Sequence, residues 1–187
     1  MILEKARLFL KTPIIFLLVM ILQSLYFFLP GYFANMAPVL LRWISYGKTP
    51  IHEKLFGSHK TWRGLVVAIL VGGLVFWLQQ WLYQQGFQRW ALIDYADFPF
   101  WFGFLQGAGV ILGDLVKSFY KRKQGIKPGE PWWGWDQLDF VIGGLMLGFF
   151  VYVPPAGTVL VLMVLSPILH LLANNVGYLL KINKSRF

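Results

Sequence analysis

Gly64-Leu-Val-Val-Ala-Ile-Leu-Val-Gly-Gly-Leu-Val-Phe-Trp-Leu-Gln-Gln-Trp-Leu-Tyr83 contains no charged residue. At 1.5 Å per residue a helix of this length spans about 30 Å, the thickness of a bilayer's hydrocarbon core. Its only strongly polar side chains, Gln79 and Gln80, fall near its end. The stretch predicts a transmembrane helix.

Four further segments share this character. With residues 64–83, the expected spans are 13–42, 99–119, 136–153 and 157–180. The first is too long for one straight crossing, and Pro30-Gly31 interrupts it, which predicts a broken or strongly tilted element starting near Pro13. Pro154-Pro155 marks the turn before the last span. The fold class expected is therefore all-α, a polytopic membrane protein of about five helices, with residues 1–187 forming a single integral membrane domain. Gly103, Gly107, Gly109 and Gly113 line the third span and predict close helix packing.

Composition agrees. Hydrophobic residues make up 57% of the 187 residues and charged ones only 13%, against about a quarter charged in soluble domains. Mean hydropathy is +0.59. The absence of cysteine excludes disulfides, thiolate metal sites and cysteine nucleophiles. The net charge of +9 is read as positive-inside charge and contact with anionic headgroups, with no nucleic-acid partner.

Most of the 17 Lys and Arg residues fall in three segments that five spans place on one side. These are Arg42 to Arg63, Lys117 to Lys127, and the tail with Lys181, Lys184 and Arg186. The connection 84–98 has only Arg89 beside Asp94 and Asp97. The basic side is expected to face the cytoplasm, in a cell (inner or plasma) membrane. Lys5, Arg7 and Lys11 run against this orientation.

Acids near a membrane are functional candidates. There are only eight Asp and Glu residues, and Asp114, Asp136 and Asp139 bracket the second basic loop. Asp136 and Asp139 share a helix face at the start of the fourth span, where the helix dipole favours carboxylates. Converging carboxylates without cysteine or histidine suit a hard cation such as Mg2+. Lys121 and Arg122 beside them suit a polyphosphate substrate. Ser118 lies one turn after Asp114. In the first loop Lys60, Thr61 and Arg63 are phosphate-type contacts at the start of the second span. In the last span His170 and Asn174 share a face; they either line a site or bond between helices.

The pattern resembles the CDP-archaeol synthase family in three places: Lys60-Thr61-Trp62-Arg63-Gly64; Gly113-Asp114-x-x-x-Ser118-x-x-Lys121-Arg122 with Pro128-Gly129; and Asp136-Gln137-x-Asp139-Phe140. Tyr32-x-Ala34-Asn35-Met36-x-Pro38 and Asn174 with Tyr178 are similar to it too. Bacterial phosphatidate cytidylyltransferases are more loosely similar. The resemblance implies a CTP-dependent nucleotidyltransferase in which a lipid phosphate attacks the α-phosphorus of CTP, giving a CDP-lipid and pyrophosphate for phospholipid biosynthesis. The lipid is a digeranylgeranylglyceryl phosphate-like molecule or phosphatidate. By position, Asp114, Asp136 and Asp139 hold Mg2+ and take part in catalysis with Lys121 and Arg122. Lys60, Thr61, Arg63, Ser118 and Asn174 bind substrate. Membrane lipids are further partners, and a homo-oligomer stays open. The rival class is a small membrane transporter or ion pathway. It calls for acids at mid-membrane, whereas the three aspartates fall near one interface.

Overall fold

The structure, a computed structural model, describes residues 2–127, 130–132 and 134–179, with side chains from Pro13 onward. Pro128-Gly129 and the basic tail from Leu180, with Lys181, Lys184 and Arg186, lie outside the described residues, as do the side chains of Lys5, Arg7 and Lys11.

Every regular element among them is helical: α1 Ile2–Phe27, α2 Leu29–Leu40, α3 Glu53–Phe56, α4 Trp62–Gln84, α5 Phe102–Lys123, α6 Trp135–Gly148 and α7 Ala156–Leu179. A lone antiparallel bridge joins Pro50 to Thr61. The opening stretch folds as expected, inside α4. Thr61 caps it, its hydroxyl accepting the Gly64 N–H at 3.2 Å.

Two helices, α4 and α7, have the length and apolarity to cross a membrane. A third span arises if residues 13–27 and α2, bent by 49°, count as one. The break falls at Phe28, and Pro30 sits in the first turn of α2, where its missing N–H costs nothing. Pro13 does not start the helix: α1 extends back to Ile2 with Pro13 inside it. The remaining two expected spans differ for physical reasons. α5 runs to Lys123, so Lys121, Arg122 and Lys123 form its last turn rather than a loop, and suit the negative helix end. α6 has 14 residues, about 21 Å of helix. It stops five residues short of Val153 because Pro154-Pro155 disfavours helix in the residues leading into it.

The core is aromatic. Phe27, Phe28, Phe76, Tyr95, Phe102 and Phe140 are buried together, with Phe76 and Phe102 edge-on at 5.2 Å. Outward, Val66, Leu70, Leu74, Trp77 and Trp81 of α4 and Leu160, Val164, Ile168 and Leu172 of α7 are exposed at helical spacing. Such stripes fit lipid as their neighbour.

Glycines set the helix spacing, as expected. A Cβ at Gly72 would lie 2.6 Å from the Gly103 carbonyl oxygen, and one at Gly107 would lie 2.7 Å from that of Ala68. On the other face of α5, a Cβ at Gly109 or Gly113 would strike the backbone of Gly143 or Asp139. α5 therefore lies backbone to backbone with α4 on one side and α6 on the other, and this carries Asp114 to Asp139.

Candidate active site

Asp114 follows Gly113 on α5, while Asp136 and Asp139 occupy the first turns of α6. Because α5 and α6 touch at Gly113, the three carboxylates converge. They meet on Lys117, which the sequence alone counts with the positive charge of the second loop. Lys117 Nζ stands 3.0 Å from Asp114 Oδ1, 3.2 Å from Asp136 Oδ1 and 2.8 Å from Asp139 Oδ2. The Lys117 side chain is only 14% exposed and that of Asp139 6%. A signal for Lys117 was present: it lies three residues after Asp114, within reach on one helix face.

Two further lysines flank the cluster. Lys60 pairs with the other oxygen of Asp114. Lys121 Nζ donates to both oxygens of Asp136 at 3.1 Å and to the Glu130 carbonyl at 2.5 Å. The Trp132 N–H also donates to Asp136. Asp136 therefore does not cap α6; Gln137 does, its Oε1 accepting the Gly134 N–H at 2.7 Å. Three lysines against three aspartates leave the site neutral in sum. Each charge keeps a partner, without which burial would cost several kcal/mol.

The loop carrying Lys60 is folded back on itself. Ile51 N–H donates to Lys60 O at 2.8 Å and Arg63 N–H to Gly47 O at 2.8 Å. His52 caps α3, its Nδ1 accepting from Leu55 N–H. Gly57 closes α3 at φ +88°, in the left-handed region that glycine favours.

The cluster opens into a cavity of about 870 Å³. Its polar end holds His59, Lys60, Thr61, Asp114, Lys117, Asp136 and Asp139. Its other walls are apolar: Met36, Val39 and Leu40 of α2 face Leu169, Leu172 and Val176 of α7. Asn35, His170 and Asn174 line it as well, and His170 packs on Phe140 at 5.7 Å. A side pocket of about 110 Å³ is lined by Gly57, Ser118, Lys121 and Arg122. His59, Lys60 and Lys117 line both spaces.

The structure thus gathers Lys60, Thr61, Asp114, Asp136, Asp139 and Asn174 around the main cavity and Ser118, Lys121 and Arg122 around the side pocket. Arg63 lines neither. Its guanidinium donates to the carbonyls of Arg42 at 2.7 Å and Ile44 at 2.9 Å, fastening the end of α2 to the start of α4.

The family model described as CarS-like, CDP-archaeol synthase, matches residues 17–187. The chain belongs to the CDP-archaeol synthase family. The CDP-archaeol synthase of Pyrococcus furiosus is 36% identical, the match covering 86% of this chain and 95% of that one. Its namesake from Methanopyrus kandleri is also 36% identical, over 87% of this chain and 91% of that one. A solved structure described as an intramembrane enzyme for archaeal membrane lipids biosynthesis is similar with a TM-score of 0.63 and 28% identity, covering 82% of this chain and 94% of that one. The chain is a membrane transferase of the CTP-dependent nucleotidyltransferase class, and its substrates are CTP and a lipid phosphate.

Cytidylyltransferases of this kind usually need a divalent metal. The donors here fit one in kind: three carboxylates whose oxygens already surround one positive centre. Among the described residues no group of three acids or histidines forms a metal site directly. The carboxylate oxygens stand around an ammonium, wider than the about 2.1 Å that Mg2+ takes.

Proposed function

We propose that this chain transfers CMP from CTP to the phosphate of an isoprenoid glycerol-ether lipid, digeranylgeranylglyceryl phosphate or a close analogue, releasing pyrophosphate and a CDP-archaeol-type lipid. The observation that carries this reading is the shape of the cavity. One continuous space joins a lysine–carboxylate cluster to two apolar helix walls, which matches an amphiphile with an anionic head. The name shared by the relatives supports the archaeal acceptor.

The reaction needs placement more than proton chemistry. A lipid phosphate is already nucleophilic as a dianion. Its oxygen forms a bond to the α-phosphorus while the bond from that phosphorus to the β-phosphate oxygen breaks, and the electron pair leaves with pyrophosphate. Lys60 and Lys117, shared by both spaces, bind phosphate oxygens of the two reactants. Lys121, Arg122 and Ser118 bind the β- and γ-phosphates that become pyrophosphate. Thr61 and Asn174 position the acceptor head. Arg63 acts on substrate only through the loop it fastens. Asp114, Asp136 and Asp139 would hold Mg2+, which would supply charge neutralisation at the phosphates.

The same reading has five crossings, α5 and α6 lying among α1–α2, α4 and α7 with their charged ends at one interface. That interface faces the cytoplasm, where CTP is available. The clustering of Lys and Arg in the loops around the site supports this orientation.

The test is an acceptor panel with purified protein, CTP and Mg2+ in detergent. The isoprenoid ether phosphate should exceed phosphatidate in kcat/KM by about tenfold or more. Phosphatidate used equally well would overturn the acceptor assignment and leave CMP transfer standing.

A further inference from the structure

The cavity is open along one side. Met36, Val39 and Leu40 on α2, and Leu169, Leu172 and Val176 on α7, line it and are each at least 38% exposed. They are therefore its walls and its lips at once. α2 packs on α4 and α5, α7 packs on α1 and α6, and among the described residues the backbones of α2 and α7 make no close approach. From Tyr32 to Leu40 the cavity follows α2 for about 12 Å. A C20 chain is longer than that, so its far part must leave through the gap between the two helices.

At the inner end of this gap the helices are tied. Tyr32 OH and Ser166 Oγ stand 2.6 Å apart. Ser166 is fully buried, and it lies one turn before the lip residue Leu169. The Tyr32 ring is held by Phe28 at 5.2 Å and Phe140 at 6.1 Å, so its hydroxyl has a fixed aim. Ser166 has no surface open to solvent, so water competes for this bond only from the Tyr32 side.

Resting on the lipid-phosphate reading above, we infer that the Tyr32–Ser166 hydrogen bond is a latch that fixes the width of the α2–α7 portal and so selects lipid chains by their cross-section. Methyl-branched isoprenoid chains are thicker than straight ones. A portal of fixed width accommodates one better than the other. Once α2 and α7 can change their spacing, the preference fades. Tyr32 and Ser166 are specificity-determining in this account and do not touch the reacting phosphates.

The test compares wild type with Tyr32→Phe, Ser166→Ala and the double variant. The acceptors share one glycerol-ether phosphate head and carry either branched or straight chains of equal length. Phe keeps the ring contacts with Phe28 and Phe140, and a thermal melt checks that each variant is folded. Wild type should favour branched chains. Each single change should reduce the branched-to-straight ratio of kcat/KM by about threefold to tenfold, chiefly through KM for the lipid. The double should lose no more than either single, because one bond is shared. KM for CTP should stay within about twofold. A purely structural defect would lower the rates for both lipids and leave their ratio alone. An unchanged ratio, or additive losses in the double, overturns the latch while CMP transfer stands. A wild type that transfers CMP to no lipid phosphate overturns the underlying reading and the latch together.

Discussion

Lys117 contacts all three carboxylates of the site, and its role was the part least legible beforehand. A lysine in a run with Lys121, Arg122 and Lys123 reads as interfacial charge, and only its place three residues after Asp114 marks it as the amine within reach of that carboxylate. The aspartates were easier: so few acids in an apolar chain, on two neighbouring helix ends, have few places to go. Lys117→Met removes the ammonium at the centre of three carboxylates, of which that of Asp139 is buried. Turnover should fall by about 100-fold or more, and stability by about 3 kcal/mol, because buried Asp139 loses the lysine it pairs with while Asp114 keeps Lys60 and Asp136 keeps Lys121. Rate assays and thermal melts in detergent measure both. Normal turnover in Lys117→Met would remove it from the mechanism. Arg63 shows the opposite error. A loop arginine beside Lys60 and Thr61 reads as a phosphate ligand, yet its donors go to the backbone carbonyls of Arg42 and Ile44. Arg63→Ala should lower the melting temperature by several degrees and weaken lipid and CTP binding together, as expected when a shared wall loosens.

At the scale of elements, helix identity was plain in the apolar runs, and close packing of α5 was plain in its glycines. Helix ends were not, because they depend on local breaks: Phe28 instead of Pro30-Gly31, and the early stop of α6 at Gly148. The contact of α5 with α6 makes a sharp prediction. A Cβ at Gly113 would strike the Asp139 carbonyl oxygen, which belongs to backbone and cannot swing aside. Gly113→Ala should cost about 1–3 kcal/mol and reduce turnover more than stability alone explains, since it parts Asp114 from Asp139. Gly125→Ala is the control. It sits at φ +77° with open space around it, so it should destabilise modestly and leave the site's spacing intact. Equal effects of the two on kcat, measured below either melting temperature, would show that the α5–α6 spacing does not matter for catalysis.

For the whole molecule, the membrane class followed from composition, while the number of crossings did not follow from apolar length. α5 carries the site's charges in its second half and α6 is short, so among the described residues only α4, α7 and the bent α1–α2 pair satisfy length and apolarity. A helix that builds an active site gives up the uniform apolarity by which a span is recognised. The natural lack of cysteine makes topology directly measurable. Single cysteines replacing Lys123 and Gln88 should react with an impermeant maleimide from opposite sides of sealed vesicles, Lys123→Cys from the cytoplasmic side. Labelling of both from one side would contradict the five crossings. The most direct test of the account supplies purified protein with CTP labelled either at its α- or at its γ-phosphorus, together with Mg2+ and an isoprenoid glycerol-ether phosphate. The account predicts label in the lipid from α-labelled CTP only, label in pyrophosphate from γ-labelled CTP, and loss of both in Asp139→Asn. Label reaching the lipid from the γ-position, or undiminished transfer by a folded Asp139→Asn, would contradict CMP transfer at the carboxylate–lysine cluster.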